Sequence, residues 1–378
     1  MSRKGSLIFE LYGYPVDTWN EDAQNNLSLC RCPFMNSECD GGGNRFSSGI
    51  SLSRNHPLKK YFKRKSKVQV GVCSLQLNPG EQPWIVCPRR LLNYRTDCDS
   101  ALQVSIKKKL CEKSGLTAGT RYNVWSEVKM KCLVDSADGD GVFDYTFDYV
   151  IAGRQRLPIE EIAQSIGSTK EEASSALRKA GYTICRKRGV EYCDDFPSRP
   201  LIIVEVMTSS TCGGNKNDRT QISQVFEDTI LKLNGEKVDP AGPSINYRQI
   251  WARMVSQLLV KSQIGKEWGG VTFWVLQDLL TQYISRTTAL NFNDFLADRK
   301  HEVNVISGGY GENFLPENRK QQFALIDDIK FYAGPIQSSV TTHKSFSDII
   351  KLGGSPNIGE LWKKLACKPP CTSFVWRP

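Results

Sequence analysis

The sequence predicts a mixed α/β fold of the α+β kind: a mixed central sheet flanked by helices, preceded by an irregular cysteine-bearing module. Two segments carry the sheet. Leu201-Ile202-Ile203-Val204-Glu205-Val206 is apolar at both odd and even positions, as in a strand covered on both faces, and Gly270–Leu276 repeats the pattern. Two segments supply covering helices, Gln221–Leu233 and Tyr247–Gln263. In the second, Ile250, Met254, Val255, Leu258 and Leu259 recur at helical spacing as a core stripe. Residues 5–100 differ in kind: they are rich in turn residues, include Gly41-Gly42-Gly43, and hold short β-like pieces such as Val68–Val72.

A chain of 378 residues has room for two or three domains, and its 40% hydrophobic and 24% charged content is that of a globular protein. The net charge of +10 points to a polyanionic partner, with nucleic acid leading. Near the start, Leu7-Ile8-Phe9 is cut by Glu10, so no secretory signal is expected, and no apolar run is long enough to span a membrane. A reducing prokaryotic cytoplasm is therefore expected for this cytoplasmic protein. There, clustered cysteines read as metal ligands before disulfides.

Cys32, Cys39, Cys73 and Cys87 are the candidates, spaced C-x6-C, x33, C-x13-C, out of 13 cysteines in the chain. Cys30 is an alternative to Cys32. Four thiolates make the closed sulfur site preferred by structural zinc or a single iron, and spacing alone does not choose between the metals. Between Cys39 and Cys73 runs a basic loop with Lys59, Lys60, Lys63, Arg64, Lys65 and Lys67 around Tyr61 and Phe62. It is expected either to contact phosphates, with the aromatics stacking or wedging at bases, or to be a solvated charged loop.

Further along, Ala101–Ser114 reads as a helix, Val124–Met130 as a strand, Asp138-Gly139-Asp140-Gly141 as a hairpin turn and Phe143–Val150 as the returning strand. Pro158–Gly167 is a short helix. A second follows with Ser168 or Thr169 as N-cap, Glu171 or Glu172 closing a capping box, and Ala173, Ala176, Leu177 and Ala180 as its apolar face. This is a helix-turn-helix pattern, and Thr183–Tyr192, centred on Arg186-Lys187-Arg188-Gly189, would form a wing. Lys170, Ser174, Arg178, Arg186, Lys187 and Arg188 are its candidate DNA contacts; the alternative is an αα-hairpin that braces the core. Ile329–Tyr332 is a late strand candidate.

Three acids stand on consecutive strand-like segments: Glu127, Asp148 and Glu205. In-line hydrolysis of a phosphodiester uses a divalent cation, and magnesium takes hard oxygen ligands from one or two carboxylates. Glu205 is the most conspicuous acid, because a carboxylate inside an apolar strand is costly unless it binds something. Asp144 competes with Asp148, and turn or strand-end acids are the plainer explanation of each.

Together these segments resemble the NotI family of type II restriction endonucleases. The likeness rests on Glu10-Leu11-Tyr12-Gly13-Tyr14-Pro15-Val16, Cys32-Pro33-Phe34, Cys39, Gly71-Val72-Cys73, Val86-Cys87-Pro88-Arg89-Arg90-Leu91-Leu92, Ser126-Glu127-Val128, Phe147-Asp148-Tyr149, Val204-Glu205-Val206-Met207-Thr208 and Ser244-Ile245-Asn246-Tyr247-Arg248-Gln249 through Leu276-Gln277-Asp278-Leu279-Leu280. The resemblance implies a PD-(D/E)xK core, a four-cysteine iron site, Mg2+-dependent cleavage of double-stranded DNA by a homodimer, and a cognate DNA methyltransferase acting on the same sequence. It makes Glu127, Asp148 and Glu205 metal-binding acids. The chain departs from the pattern at Met207, where Lys or Gln is usual: a thioether neither orients nor deprotonates water, and Lys216 and Gln224, which follow the strand, are candidate substitutes. The implied organisation is a four-cysteine metal module over 1–100, a nuclease core over 101–156 and 198–378, and the helix-turn-helix insertion over 157–197. The rival is a non-catalytic helix-turn-helix DNA-binding regulator with a structural metal.

Overall fold

The computed structural model describes residues 7–42, 49–62, 64–94, 100–136, 139–211, 221–287, 292–311, 329–336 and 357–376. The N-terminal part is more regular than its turn-rich composition predicts. It contains β1 (Leu7–Leu11), β2 (Tyr14–Pro15), α1 (Glu21–Leu29), β3 (Arg31–Cys32), β4 (Ser37–Glu38), β5 (Gly49–Ser51), β6 (Lys67–Gln69), β7 (Val72–Gln76), β8 (Trp84–Ile85) and the single turn α2 (Pro88–Leu91). Strands β2-β1-β7-β8 form one antiparallel sheet in that order. Helix α1 starts where the Asn20 side chain accepts from the Ala23 N–H, and stops at Cys30, which turns left-handed at φ 55°.

The remaining elements are α3 (Ala101–Ser114), β9 (Arg121–Ser136), β10 (Gly139–Pro158), α4 (Ile159–Ser165), α5 (Lys170–Lys179), β11 (Ile184–Lys187), β12 (Val190–Met207), α6 (Gln221–Leu233), α7 (Tyr247–Glu267), β13 (Val271–Gln277), α8 (Asp278–Thr287), β14 (Val303–Gly308), β15 (Lys330–Gly334), α9 (Ile358–Ala366) and β16 (Thr372–Val375). They build an eight-stranded mixed sheet in the order β15-β14-β13-β12-β10-β9-β16, with β11 paired to β12. Among the described residues, only the β12–β13 and β13–β14 pairings are parallel. Strand β14 carries no periodic signal strong enough to be predicted. The β9–β10 hairpin closes at Ser136↔Gly139, so Asp140 and Gly141 are strand residues where a turn is predicted.

The doubly apolar strand is covered on both faces, as its sequence requires. Ile202 and Val204 pack with Leu102, Ile106 and Leu110 of α3, whereas Leu201 and Ile203 pack with Val260 and Ile264 of α7 and Leu361 and Leu365 of α9. The predicted insertion forms α4, α5 and the β11–β12 hairpin over a small core of its own, including Ile162, Leu177 and Phe196. Thr169 and Glu172 complete the capping box at the start of α5. The hairpin turns on Arg188 (φ 53°) and Gly189 (φ 84°), two consecutive positive φ values as a type I′ turn demands. No helix among the described residues is long and apolar enough to cross a membrane.

The N-terminal sheet shares its core with the large one: Ile8, Leu11, Leu75 and Trp84 lie in one apolar cluster with Phe226, Ile250, Trp274 and Leu280. Polar ties reinforce it. Gln277, fully buried on β13, accepts from the Ile85 N–H at 2.7 Å and donates to Pro83 O at 2.7 Å. Arg90 and Glu10, both wholly inaccessible to water, form a bidentate pair with contacts of 3.0 to 3.2 Å. Tyr310, just beyond β14, donates to the same carboxylate at 2.6 Å, and Ser74 donates at 3.2 Å. The guanidinium carbon lies 5.2 Å from the ring centroids of both Phe34 and Tyr310.

Removing one member of such a pair leaves a buried charge without its partner. Glu10→Ala is expected to destabilise the fold by about 3–5 kcal/mol, whereas a surface change such as Lys108→Ala shifts it by no more than about 0.5 kcal/mol. Urea denaturation midpoints measure both; equal effects would show that the buried Arg90–Glu10 pair does not support the fold.

Candidate active site and thiol cluster

The three acids meet at one row of the large sheet. The β9–β10 ladder pairs Phe147 with Val128 and Tyr149 with Ser126, bracketing Asp148 opposite Glu127. The β10–β12 ladder stops at Tyr149↔Val204, one step before Asp148 and Glu205. Beyond it the strands are linked by a side chain, the Val206 N–H donating to Asp148 Oδ2 at 2.8 Å. Strict alternation would put residues three apart on opposite faces. Yet Trp125 and Val128 share one apolar cluster, and so do Phe147 and Val150. Both strands therefore break their alternation at the acids, and Glu127 takes the left-handed φ of 52° that a side chain rarely adopts.

Glu205 is 2% exposed. Burial, and after it the Asp148 charge, pushes its carboxyl up to about 8 against the pull of Lys261. Burial also raises Asp148, offset by Lys261 and by the Val206 N–H. Lys261, on α7, donates to Glu205 Oε2 at 2.5 Å and to Thr146 O at 2.8 Å, and is itself 3% exposed. Its ammonium lies 5.6 Å from the Phe147 ring centroid. The other carboxylate oxygen, Glu205 Oε1, is buried with no hydrogen-bond partner. An oxygen so placed, beside a second carboxylate, has the chemistry of a hard-cation ligand. Glu127 stands apart from this pair, its side chain 47% exposed and 3.6 Å from Arg89 Nη2.

The other predictions for this region sort by tertiary contact. Asp144 lies out at the surface, 4.0 Å from Lys129 Nζ, so Asp148 is the acid beside Glu205. Met207 is half-buried and packs on an apolar cluster. Gln224 is spent on Asp228 at 2.8 Å on the exposed side of α6, and Lys216 lies outside the described residues. Sequence reasoning missed Lys261, 56 residues after Glu205. Its one trace in the sequence is a lysine between Val260 and Ile264, both in the buried face of α7.

Cys32, Cys73 and Cys87 share a small buried cluster with Phe34 and Met35, and Cys39 packs against it. Cys30 belongs to a different cluster and pairs with Tyr12, which leaves Cys32 as the neighbour of the other three. Backbone N–H groups favour the thiolate form of three of the four: Phe34 and Met35 at Cys32, Gly41 at Cys39 (3.4 Å) and Arg89 at Cys87, while the Arg90 N–H donates to Cys87 O at 3.0 Å. Gly42 (φ 80°) passes so near that a Cβ there would lie 3.3 Å from Cys87 Sγ. Burial pushes Cys32 up to about 11 and Cys87 to about 12, and burial, followed by the neighbouring thiols, raises Cys73 and Cys39 well above the ordinary thiol range. Among the described residues, no three His, Cys, Asp or Glu side chains stand in finished metal-holding geometry. The chemistry of the donor set nevertheless suits a thiophilic ion: four cysteines share one cluster, and N–H donors at Cys32, Cys39 and Cys87 favour the thiolates that binding would require.

The basic loop is largely occupied within the molecule. Lys59 donates to Lys65 O, Lys60 pairs with Glu236 at 3.1 Å and Lys65 with Glu38 at 2.7 Å. Phe62, expected to stack or wedge at bases, is instead 1% exposed and stacked on Phe226, because the loop closes over α6. Tyr61 is half-buried against the same core. Arg64 is exposed, and Lys63 lies outside the described residues. On the insertion, Lys170, Arg186, Lys187 and Arg188 are exposed, while Arg178 pairs with Glu191 at 3.3 Å.

Neither a scan against protein-family models nor a search of curated proteins finds a match for this chain.

The thiol cluster generates a direct expectation: purified protein carries about one zinc or iron per chain, with a visible thiolate-to-iron band if the metal is iron. Structural zinc binding is worth about 10–16 kcal/mol in small peptides, so Cys73→Ser should lower both metal content and melting temperature. Mass spectrometry of the metal and a thermal melt check this; a metal-free wild type melting like the variant would refute it.

Proposed function

We propose that the chain is a Mg2+-dependent DNA endonuclease with a PD-(D/E)xK core, acting as a homodimeric type II restriction enzyme. The observation that carries this reading is the buried Lys261–Glu205 pair beside Asp148, with Glu205 Oε1 left unpartnered in an apolar strand. Burying a carboxylate, a second acid and an ammonium together lowers stability unless the constellation does work. The parted strands and the left-handed Glu127 at the same row add to it.

Asp148 and Glu205 would hold the cation, with Glu127 at the open side. When bound, the divalent ion polarises the phosphate and supplies a water of lowered pKa. The chain's own groups do the rest. Lys261 fills the role that Met207 cannot: its ammonium orients the attacking water and faces the negative charge that grows on the phosphoryl oxygens. The water gives up a proton to solvent as its oxygen attacks phosphorus in line, the opposite P–O bond breaks, and the departing oxygen takes up a proton from solvent. Two such sites on a two-fold axis cut both strands, so a palindromic target is expected. In a cell this activity requires a cognate methyltransferase to protect the host's own sites.

For DNA contact, the exposed cations Lys170, Arg186, Lys187 and Arg188 of the insertion, with Arg64, support the reading best. Lys59, Lys60 and Lys65 already have partners within the chain, and they serve DNA only where those ties are exchanged. The insertion alone would equally suit a non-catalytic DNA-binding regulator, but such a regulator has no use for the Lys261–Glu205 pair.

Duplex DNA incubated with the protein and Mg2+ is expected to give discrete double-strand fragments. Glu205→Gln should lower the rate by at least about 10³-fold while DNA binding in Ca2+ persists. Lys261→Met should cost about 10²–10⁴-fold. Residues 205 and 207 share one strand face, so adding Met207→Lys to Lys261→Met should return part of that loss. Binding without cleavage under every divalent ion would sink the nuclease and leave the regulator.

A further inference from the structure

Cys87 is followed by two arginines that leave the chain in different directions, and the first of them, Arg89, spans the thiol cluster and the acid row. Its backbone N–H is aimed at Cys87 Sγ, and its carbonyl accepts from Gln103 Nε2 at 2.6 Å. The guanidinium, 5% exposed, holds Asp40 Oδ2 through Nε and Nη2 at 3.2 Å each. Asp40 lies between Cys39 and Gly41, and its Oδ1 accepts from the Gly42 N–H at 2.9 Å, so the cysteine loop and Arg89 are clamped together. Nη1 donates to Tyr149 Oη at 3.2 Å, on the residue next to Asp148. Nη2 also faces Glu127 Oε1 at 3.6 Å.

We infer that Arg89 is a positioning residue that ties the Glu127 carboxylate to the cysteine loop, so that order in the thiol module sets the divalent-ion affinity of the acid row. Glu127 needs such a tie: its side chain is half-exposed and its backbone is left-handed. An untethered glutamate samples many rotamers, and ordering it on ion binding costs entropy; a guanidinium charge 3.6 Å from one carboxylate oxygen narrows the range that side chain samples. Lysine cannot reproduce the contact, because one ammonium does not span Asp40, Tyr149 and Glu127 as the planar fork does. The inference rests on the acid-row reading above and adds to it a path from the cysteines to the acids.

Mn2+ binding, followed by the loss of its free-ion EPR signal, tests both on protein carrying its native structural metal. Wild type is expected to bind Mn2+, and Glu205→Gln to abolish the binding. Arg89→Lys is expected to weaken Mn2+ about tenfold at unchanged structural-metal content, and Glu127→Gln by a similar factor. The double variant should be no weaker than either single one, since both changes cut the same tie. Asp40→Asn lies on the cysteine loop and is expected to weaken Mn2+ by about threefold. Wild-type affinity in Arg89→Lys, or losses that multiply in the double variant, would overturn the inference while leaving the acid row standing. Absence of Mn2+ binding in wild type, or full binding in Glu205→Gln, would overturn the acid-row reading and this inference with it.

Discussion

A guanidinium sealed from water, that of Arg90, is the constraint on which the two sheets depend. Its desolvation is tolerable only when Glu10, Ser74, Tyr310 and the faces of Phe34 and Tyr310 are all in place. Those groups come from β1, β7, the cysteine module and the end of β14, which lie far apart in the chain. Tyr310 ties the Arg90–Glu10 pair to the large sheet, beside the apolar cluster that both sheets share. The first hundred residues are thus a module in sequence but part of a common core in three dimensions.

Arg89 and Arg90 then divide two tasks between neighbours on one helical turn. Arg90 points inward and holds the assembly; Arg89 points along the sheet toward Asp40, Tyr149 and Glu127. Because Cys87 lies just before them, the geometry of the thiol cluster is inherited by both side chains. A sulfur site in this position is therefore more than a staple for a DNA-facing loop. The loop itself is partly spent inside the molecule: Lys60, Lys65 and Lys59 are bound to Glu236, Glu38 and a backbone carbonyl, and its Phe62 is core.

Much of the fold was legible because it is written in local patterns. The two-faced apolar run of β12, the α7 stripe, and the capping box at Thr169 with Glu172 each state their structure within about twenty residues or fewer, where periodicity and capping chemistry apply. The acid row was legible for a related reason, since an acid in an apolar strand is anomalous on its face. What escaped were pairings between distant segments. Nothing near Lys60 announces Glu236, and nothing near Phe62 announces Phe226, so a basic loop with aromatics read as open surface. The alternation break at Glu127 and Asp148 was hidden for the opposite reason: each strand looks regular alone, and the break is visible only in what its neighbours pack against.

Lys261 stands where the proposed chemistry calls for an ammonium, though not where the sequence pattern would place one. Met207 lies two residues after Glu205, where an ammonium on the same face would be expected, and instead its thioether fills an apolar cluster. The ammonium arrives from α7, whose buried stripe crosses the face of β12 that carries Glu205, so only its approach differs. Carrying it on a helix has a physical advantage. A lysine at position 207 would stand near the open end of the strand, whereas Lys261 is anchored by Thr146 O and walled on one side by Phe147, which restricts its rotamers. The same anchoring forces the pair to be permanent: with Lys261 buried, Glu205 cannot lose it without stranding two charges. Selection on the fold and selection on the proposed chemistry then act on one contact, so that a change at either residue costs stability and activity together.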